Sequence, residues 1–179
     1  MAEAIVCVAL AAALAQQCRA QEKQEYDLKA GFLLNFARFV EWPAEAFSSP
    51  RDPLAICLYA EDPFGGALNR AVAGKTVGER SVVVRKIAGG AGAGKCHLIF
   101  VPASQDRNTR KVSAGAAGQP VLLVGEADGF AERGGSVNFI VDGERLRFEI
   151  NPTAAGGQGL KFSSKLLQLA VIVCDKGAR

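Results

Sequence analysis

One histidine and five cysteines are the most reactive groups in this chain of 179 residues. His97 follows Cys96 at the start of an apolar run, Cys96–Val101. As metal ligands the pair would need partners at ligand spacing, and none is present. As a Cys-His nucleophile it would need a thiol held reduced. With no second histidine, imidazole-based metal sites and a Ser-His-Asp triad are nearly excluded. His97 reads as a structural residue at a strand end. Gly89 to Cys96 (GGAGAGKC) matches a phosphate-binding loop up to its lysine, but Cys96 stands where Ser or Thr must hold magnesium. An apolar strand follows where a helix is required, so the segment reads as a loop. A second near-match ending in Gly74-Lys75-Thr76 has Asn69 in place of its first glycine. Asp62, Glu126, Asp128, Glu149 and Asp175 fall near predicted element ends, where α/β folds build sites. Capping explains Asp62, and solvation or pairing with Arg147 explains Glu149. No catalytic residue, metal or cofactor is expected.

Composition narrows the classes further. Hydrophobic residues make up 49%, enough to fill one core and to exclude disorder. The net charge is +3 and the basic residues are scattered, so no nucleic-acid partner is expected.

Ile5 to Ala15 is an apolar run followed by Gln16 and Gln17. It is too short to span a bilayer, which takes about 20 residues. It fits the apolar region of a secretory signal peptide over residues 1–20, cleaved after Ala15 or after Ala20. Met1-Ala-Glu-Ala lacks the usual basic residue, and the alternative is a buried helix. A lipoprotein reading fails at Cys18, because Gln17 before it is not small. No later segment is long and apolar enough for membrane insertion. The expected product is exported, and its thiols would meet an oxidising compartment. Cleavage after Ala20 leaves Cys57, Cys96 and Cys174; cleavage after Ala15 also keeps Cys18.

The elements that must position these residues follow from periodicity. Residues 21–25 are polar and expected to fray. Leu28, Phe32, Leu33, Phe36, Phe39 and Val40 recur at helical spacing between Tyr26 and Trp42, and Pro43 ends the helix. Strands are expected over Leu54–Tyr59, Ser81–Lys86, Cys96–Val101, Val121–Val124, Ser136–Val141 and Arg145–Ile150. Helices are expected over Phe64–Val72, Gln105–Gly118 and Ser163–Val173. Asp142-Gly143 between alternating strands signals a hairpin. The fold class is α/β: a single layered domain over residues 26–175, with a mixed, mostly parallel sheet, an edge hairpin and flanking helices.

Whole segments also resemble the YfiR-like family of bacterial periplasmic regulators. The resemblance rests on Tyr26–Pro43 (YDLKAGFLLNFARFVEWP), Asp62–Gly65 (DPFG), Cys96–Phe100 (CHLIF) and Pro120–Gly125 (PVLLVG). It continues through Gly134–Phe139 (GGSVNF), Arg147–Asn151 (RFEIN) and Gly159–Ala170 (GLKFSSKLLQLA). It implies a non-enzymatic repressor that binds the periplasmic sensor domain of an inner-membrane diguanylate cyclase. It further implies an outer-membrane lipoprotein as a possible second partner and a homodimer. Cys57 and Cys96 resemble a disulfide pair of these repressors; the second, closely spaced pair of some members is missing here. Cys174 remains open: a free buried thiol, a partner of Cys18, or an intermolecular link.

Two groups are candidates for binding. Phe32, Phe36, Phe39 and Trp42, with Asn35 among them, pack as core or form a partner face. Arg147, Lys161, Ser163, Ser164 and Lys165 form a cationic, hydroxyl-rich set in the sequence. The serines read as helix caps, or as part of a site for an anion or for acidic residues of a partner. That anion site supports the rival reading, a periplasmic small-ligand-binding protein serving a transporter or sensor kinase.

Overall fold

The computed structural model describes residues 2–88, 94–143 and 145–175, so most of the loop expected over Gly89–Gly94 lies outside the described residues. The chain opens with helix α1 (Ala2–Phe39) and a two-residue strand β1 (Val40–Glu41). Then follow β2 (Leu54–Tyr59), α2 (Ala67–Val72), β3 (Thr76–Val77) and β4 (Arg80–Ile87). A second unit comprises β5 (Leu98–Val101), α3 (Thr109–Ala116) and β6 (Leu122–Gly125). The chain continues through β7 (Val137–Asp142), β8 (Arg145–Ile150) and α4 (Pro152–Gly156). It closes with β9 (Lys161–Phe162), α5 (Ser164–Leu167) and β10 (Val171–Ile172).

Eight strands form one sheet in the order β10-β8-β7-β6-β5-β2-β4-β3. Only β7–β8 and β3–β4 pair antiparallel; the other five pairings are parallel. The fold is therefore α/β with a mixed, mostly parallel sheet, as the strand–helix alternation predicts. The hairpin is not the edge itself, because β10 adds a further strand outside β8.

Strands buried on both faces read as continuous apolar runs, and β2, β5 and β6 show why. Leu54, Ile56, Leu58, Leu98, Phe100, Leu122 and Val124 face a core shared with α1 and α2. The alternate residues Cys57, Tyr59, Ile99, Val101, Val121 and Leu123 face a second core under α3, with Val112, Ala116 and Phe130. Three layers result, helix on sheet on helix.

Helix α1 is continuous through residues 21–25, which were expected to fray. Leu33, Phe36 and Ala37 are completely buried on the sheet, and Phe32 is partly so. Their rings join Phe139 and Phe148, with centroids 5.0 Å apart for Phe36–Phe148 and 5.6 Å for Phe32–Phe148. The far end of the helix is tied down by a small ribbon, β1 against β9, in which Val40 pairs with Phe162. Ser163 N–H donates to the Phe39 carbonyl at 2.9 Å, and Trp42 Nε1 donates to Ala37 O at 2.9 Å.

Several boundaries depart from expectation for local reasons. Asp62 accepts from Phe64 N–H, and Gly65 and Gly66 adopt positive φ, so α2 starts only at Ala67. Residues 103–108 form a 3₁₀ segment before α3. The apolar helix expected over Ser163–Val173 is a single turn followed by β10. Val171, Ile172 and Val173 are β-branched and favour the sheet.

Between β6 and β7 the chain wraps around Phe130, which is fully buried. A Cβ on Gly135 would stand 2.2 Å from that ring and 2.9 Å from the Phe130 carbonyl oxygen. Gly135→Ala is expected to cost about 2–3 kcal/mol through overpacking, with Phe130→Leu in the same chain restoring part of it. Urea unfolding of the two variants measures this. A cost within error of zero would contradict the tight approach.

Candidate functional site

Sites in parallel sheets form at the carboxyl ends of strands, most often where successive connections leave to opposite faces. Here β4 and β5 flank β2 on its two sides, and α2 and α3 lie on opposite faces. At the end of β2, Ala60 has φ of 65°, the only described non-glycine residue with positive φ. Its N–H donates to Ile87 O at 2.7 Å, which holds a conformation L-residues disfavour. Ser104, just past β5, donates to the Glu61 carboxylate and bridges the crevice between the two strands.

One strand further along, Glu126 leaves the end of β6 and meets α1. Its Oε2 lies 2.6 Å from Lys29 Nζ, and both side chains are about 95% buried. Its Oε1 accepts from Tyr26 OH and from Ala103 N–H, each at 3.0 Å. Lys29 also meets Glu25, one helical turn earlier, at 2.5 Å. The ammonium stands 4.7 Å from the Tyr26 ring centroid and 5.8 Å from that of Phe139. Burial, reinforced by the Glu126 charge, pushes the Tyr26 phenol well above its usual range. The group is thus a closed polar knot that clamps α1 to the loops after β5 and β6. It floors a cleft of about 500 Å³ that also includes Asp128, Ile140 and Val141.

The amino end of the sheet holds a different assembly. Cys57 in β2 and Cys96 before β5 form a disulfide, with Cα atoms 5.8 Å apart. Beside it, Ala55 N–H donates to His97 Nδ1 at 3.0 Å, and His97 Nε2 donates to Ala46 O at 2.9 Å. The partners fix the neutral tautomer and leave neither nitrogen free to act as a base. Phe47 stacks on the imidazole at 4.4 Å, and the Arg80 guanidinium covers Phe47 at 3.6 Å. These groups hold the loop before β2 against a cleft of about 390 Å³ lined by Asp52, Arg85, Lys95 and Gln119.

Burial holds the His97 pKa below its ordinary value of 6.5, helped by Arg80 and Arg85 and opposed by the Ala46 hydrogen bond. The unfolded chain then takes up the proton first. His97 stabilises fully above the unfolded pKa, and that contribution falls as pH drops from there toward the folded value. Thermal unfolding should show a lower midpoint at about pH 5.5 than at about pH 7.5, and His97→Gln should flatten the difference.

The YfiR/HmsC-like family model matches residues 26–171. The match begins at the tyrosine of the knot and ends in β10. The chain belongs to the YfiR/HmsC-like family. This is a family of periplasmic regulators rather than enzymes.

In this YfiR/HmsC-like chain the residues singled out from sequence take different parts. Phe36 has no exposed surface and packs the core; Phe32 keeps a partial exposure, and Asn35 beside it is exposed. Arg147 pairs with Asp142 across the hairpin at 2.9 Å. Lys161 sits opposite Glu41 in the small ribbon. Ser163 caps α5 by accepting from Leu166 N–H at 3.3 Å, while Ser164 and Lys165 are exposed. Because α5 is four residues long, few peptide dipoles align behind that cap, and the anion site expected there has little to build on. Glu149 accepts from Asn138 instead of Arg147. Cys174 is exposed and free, so it is not the buried thiol considered from sequence.

Sequence reasoning missed the knot of Tyr26, Lys29 and Glu126. A signal for it was present: Lys29 occupies an inward position of the apolar stripe, where a charge must find a partner.

Proposed function

We propose that this protein is an exported repressor that binds the periplasmic sensor domain of an inner-membrane diguanylate cyclase and lowers cyclic-di-GMP. The observation that carries this reading is the family match over residues 26–171. The internal disulfide suits an oxidising compartment. Residues 1–20 serve as the signal peptide in this reading. In support, Ala20 to Gln24 are exposed, and the family match begins only at Tyr26. Among the described residues no helix is long and apolar enough to cross a membrane. A homodimer is the proposed working form, with an outer-membrane lipoprotein as a second partner that sequesters the repressor.

The test is the cyclic-di-GMP level of the native bacterium with and without the gene. Deletion should raise the level, and the wild-type gene should bring it back. An unchanged level across growth conditions refutes the repressor role while leaving family and fold in place.

A further inference from the structure

The apolar face of the β7–β8 hairpin extends beyond the part that α1 covers. Phe139 and Phe148 are buried under the helix, whereas Val141 and Leu146, paired opposite one another, continue the same face outward. Val141 is 61% exposed, and Leu28, one helical turn before Phe32, is 52% exposed. Between helix and hairpin runs a groove of about 410 Å³, walled by Gln24, Leu28, Val141 and Leu146. It shares Glu25 and Val141 with the cleft over the polar knot.

Charge changes along this path. Lys29 is already bracketed by Glu25 and Glu126, so it offers the groove no uncompensated positive charge. Glu25 keeps about a third of its side chain exposed, and Asp128 is exposed beyond it. The groove therefore sets an apolar strip of Leu28, Val141 and Leu146 beside the amides of Gln21 and Gln24, and it has an acidic end.

We propose that this groove docks a segment of the regulated membrane protein's periplasmic domain that carries an apolar side chain flanked by Lys or Arg. The apolar group seats on Leu28, Val141 and Leu146, and the cation reaches Glu25 and Asp128. The inference rests on the repressor function proposed above. A second copy of this chain fits less well, because in a two-fold contact the mate's groove lining supplies no Lys or Arg to meet Glu25. An anionic lipid surface is repelled by the same carboxylates.

The test uses the full-length gene returned to the deletion strain, with cyclic-di-GMP as readout. Leu28→Glu/Val141→Glu and, separately, Asp128→Lys are expected to lose repression and leave cyclic-di-GMP near the deletion level. Leu169→Glu, at a leucine outside the groove that is 71% exposed, should repress as wild type does. Purified variants should melt close to wild type, since every changed side chain is solvent-exposed. If the double variant melts early, Asp128→Lys alone decides. Full repression by Asp128→Lys and the double variant overturns the groove but leaves the repressor function standing. Failure of the wild-type gene to repress overturns both. Conversion of the double variant from dimer to monomer in sedimentation overturns the proposal in favour of a self-association surface.

Discussion

Lys29→Met is expected to lower the unfolding free energy by about 3–5 kcal/mol, the usual cost of stranding one partner of a buried ion pair. The reason lies with Glu126, which would stay buried with only the Tyr26 and Ala103 donors. The loss of the Glu25 contact adds less, since that carboxylate keeps about a third of its side chain exposed. Lys29→Met combined with Glu126→Gln removes both charges and should recover much of the loss. Urea unfolding of the protein, with and without added salt, checks this. Surface ion pairs weaken with salt, but this one is shielded and should not. A single-variant cost below about 1 kcal/mol would show that water reaches the knot and that it does not clamp the helix.

Replacing both Cys57 and Cys96 by Ala should cost about 4 kcal/mol, since the bond closes a loop of 39 residues. The double replacement avoids leaving a single reactive thiol. Cys57 is completely buried and Cys96 nearly so. A reductant should therefore act on the folded protein only through opening events, and its rate should climb with urea. Reduced wild type and the double Ala variant should unfold at similar urea concentrations. Equal midpoints for oxidised and reduced wild type would mean that the crosslink constrains nothing the fold does not already hold.

Much of the scaffold could be read from residue order. Leu54–Tyr59 and Arg145–Ile150 match their strands end to end, because the first is a short continuous apolar run and the second alternates Leu146, Phe148 and Ile150 with charged residues. Asp142-Gly143 marked the turn, and Gly143 takes the positive φ such turns need. The carboxyl-terminal segment misled because apolar residues continue past the single turn of α5. Only the β-branched run at Val171–Val173 hints that the chain rejoins the sheet, and its partner β8 is distant in sequence. The polar knot was hidden for a related reason. Tyr26 and Lys29 are close to each other, but Glu126 lies 97 residues beyond the lysine. Periodicity says that Lys29 points inward without saying what awaits it. The disulfide was reached through resemblance, since three or four cysteines in the mature chain permit more than one pairing.

The crosslink sits on the sheet face away from α1, joining β2 to the segment before β5 beneath α3. It therefore lends nothing to the grip on the long helix, which depends on the ring cluster, the knot and the small ribbon. The two sides of the molecule can come apart on separate clocks. Amide exchange would reveal α1 peeling from an intact, still crosslinked sheet, at a rate that reduction of the sulfurs does not change. Such exchange would mean that the helical layer can open while the central strands stay in register.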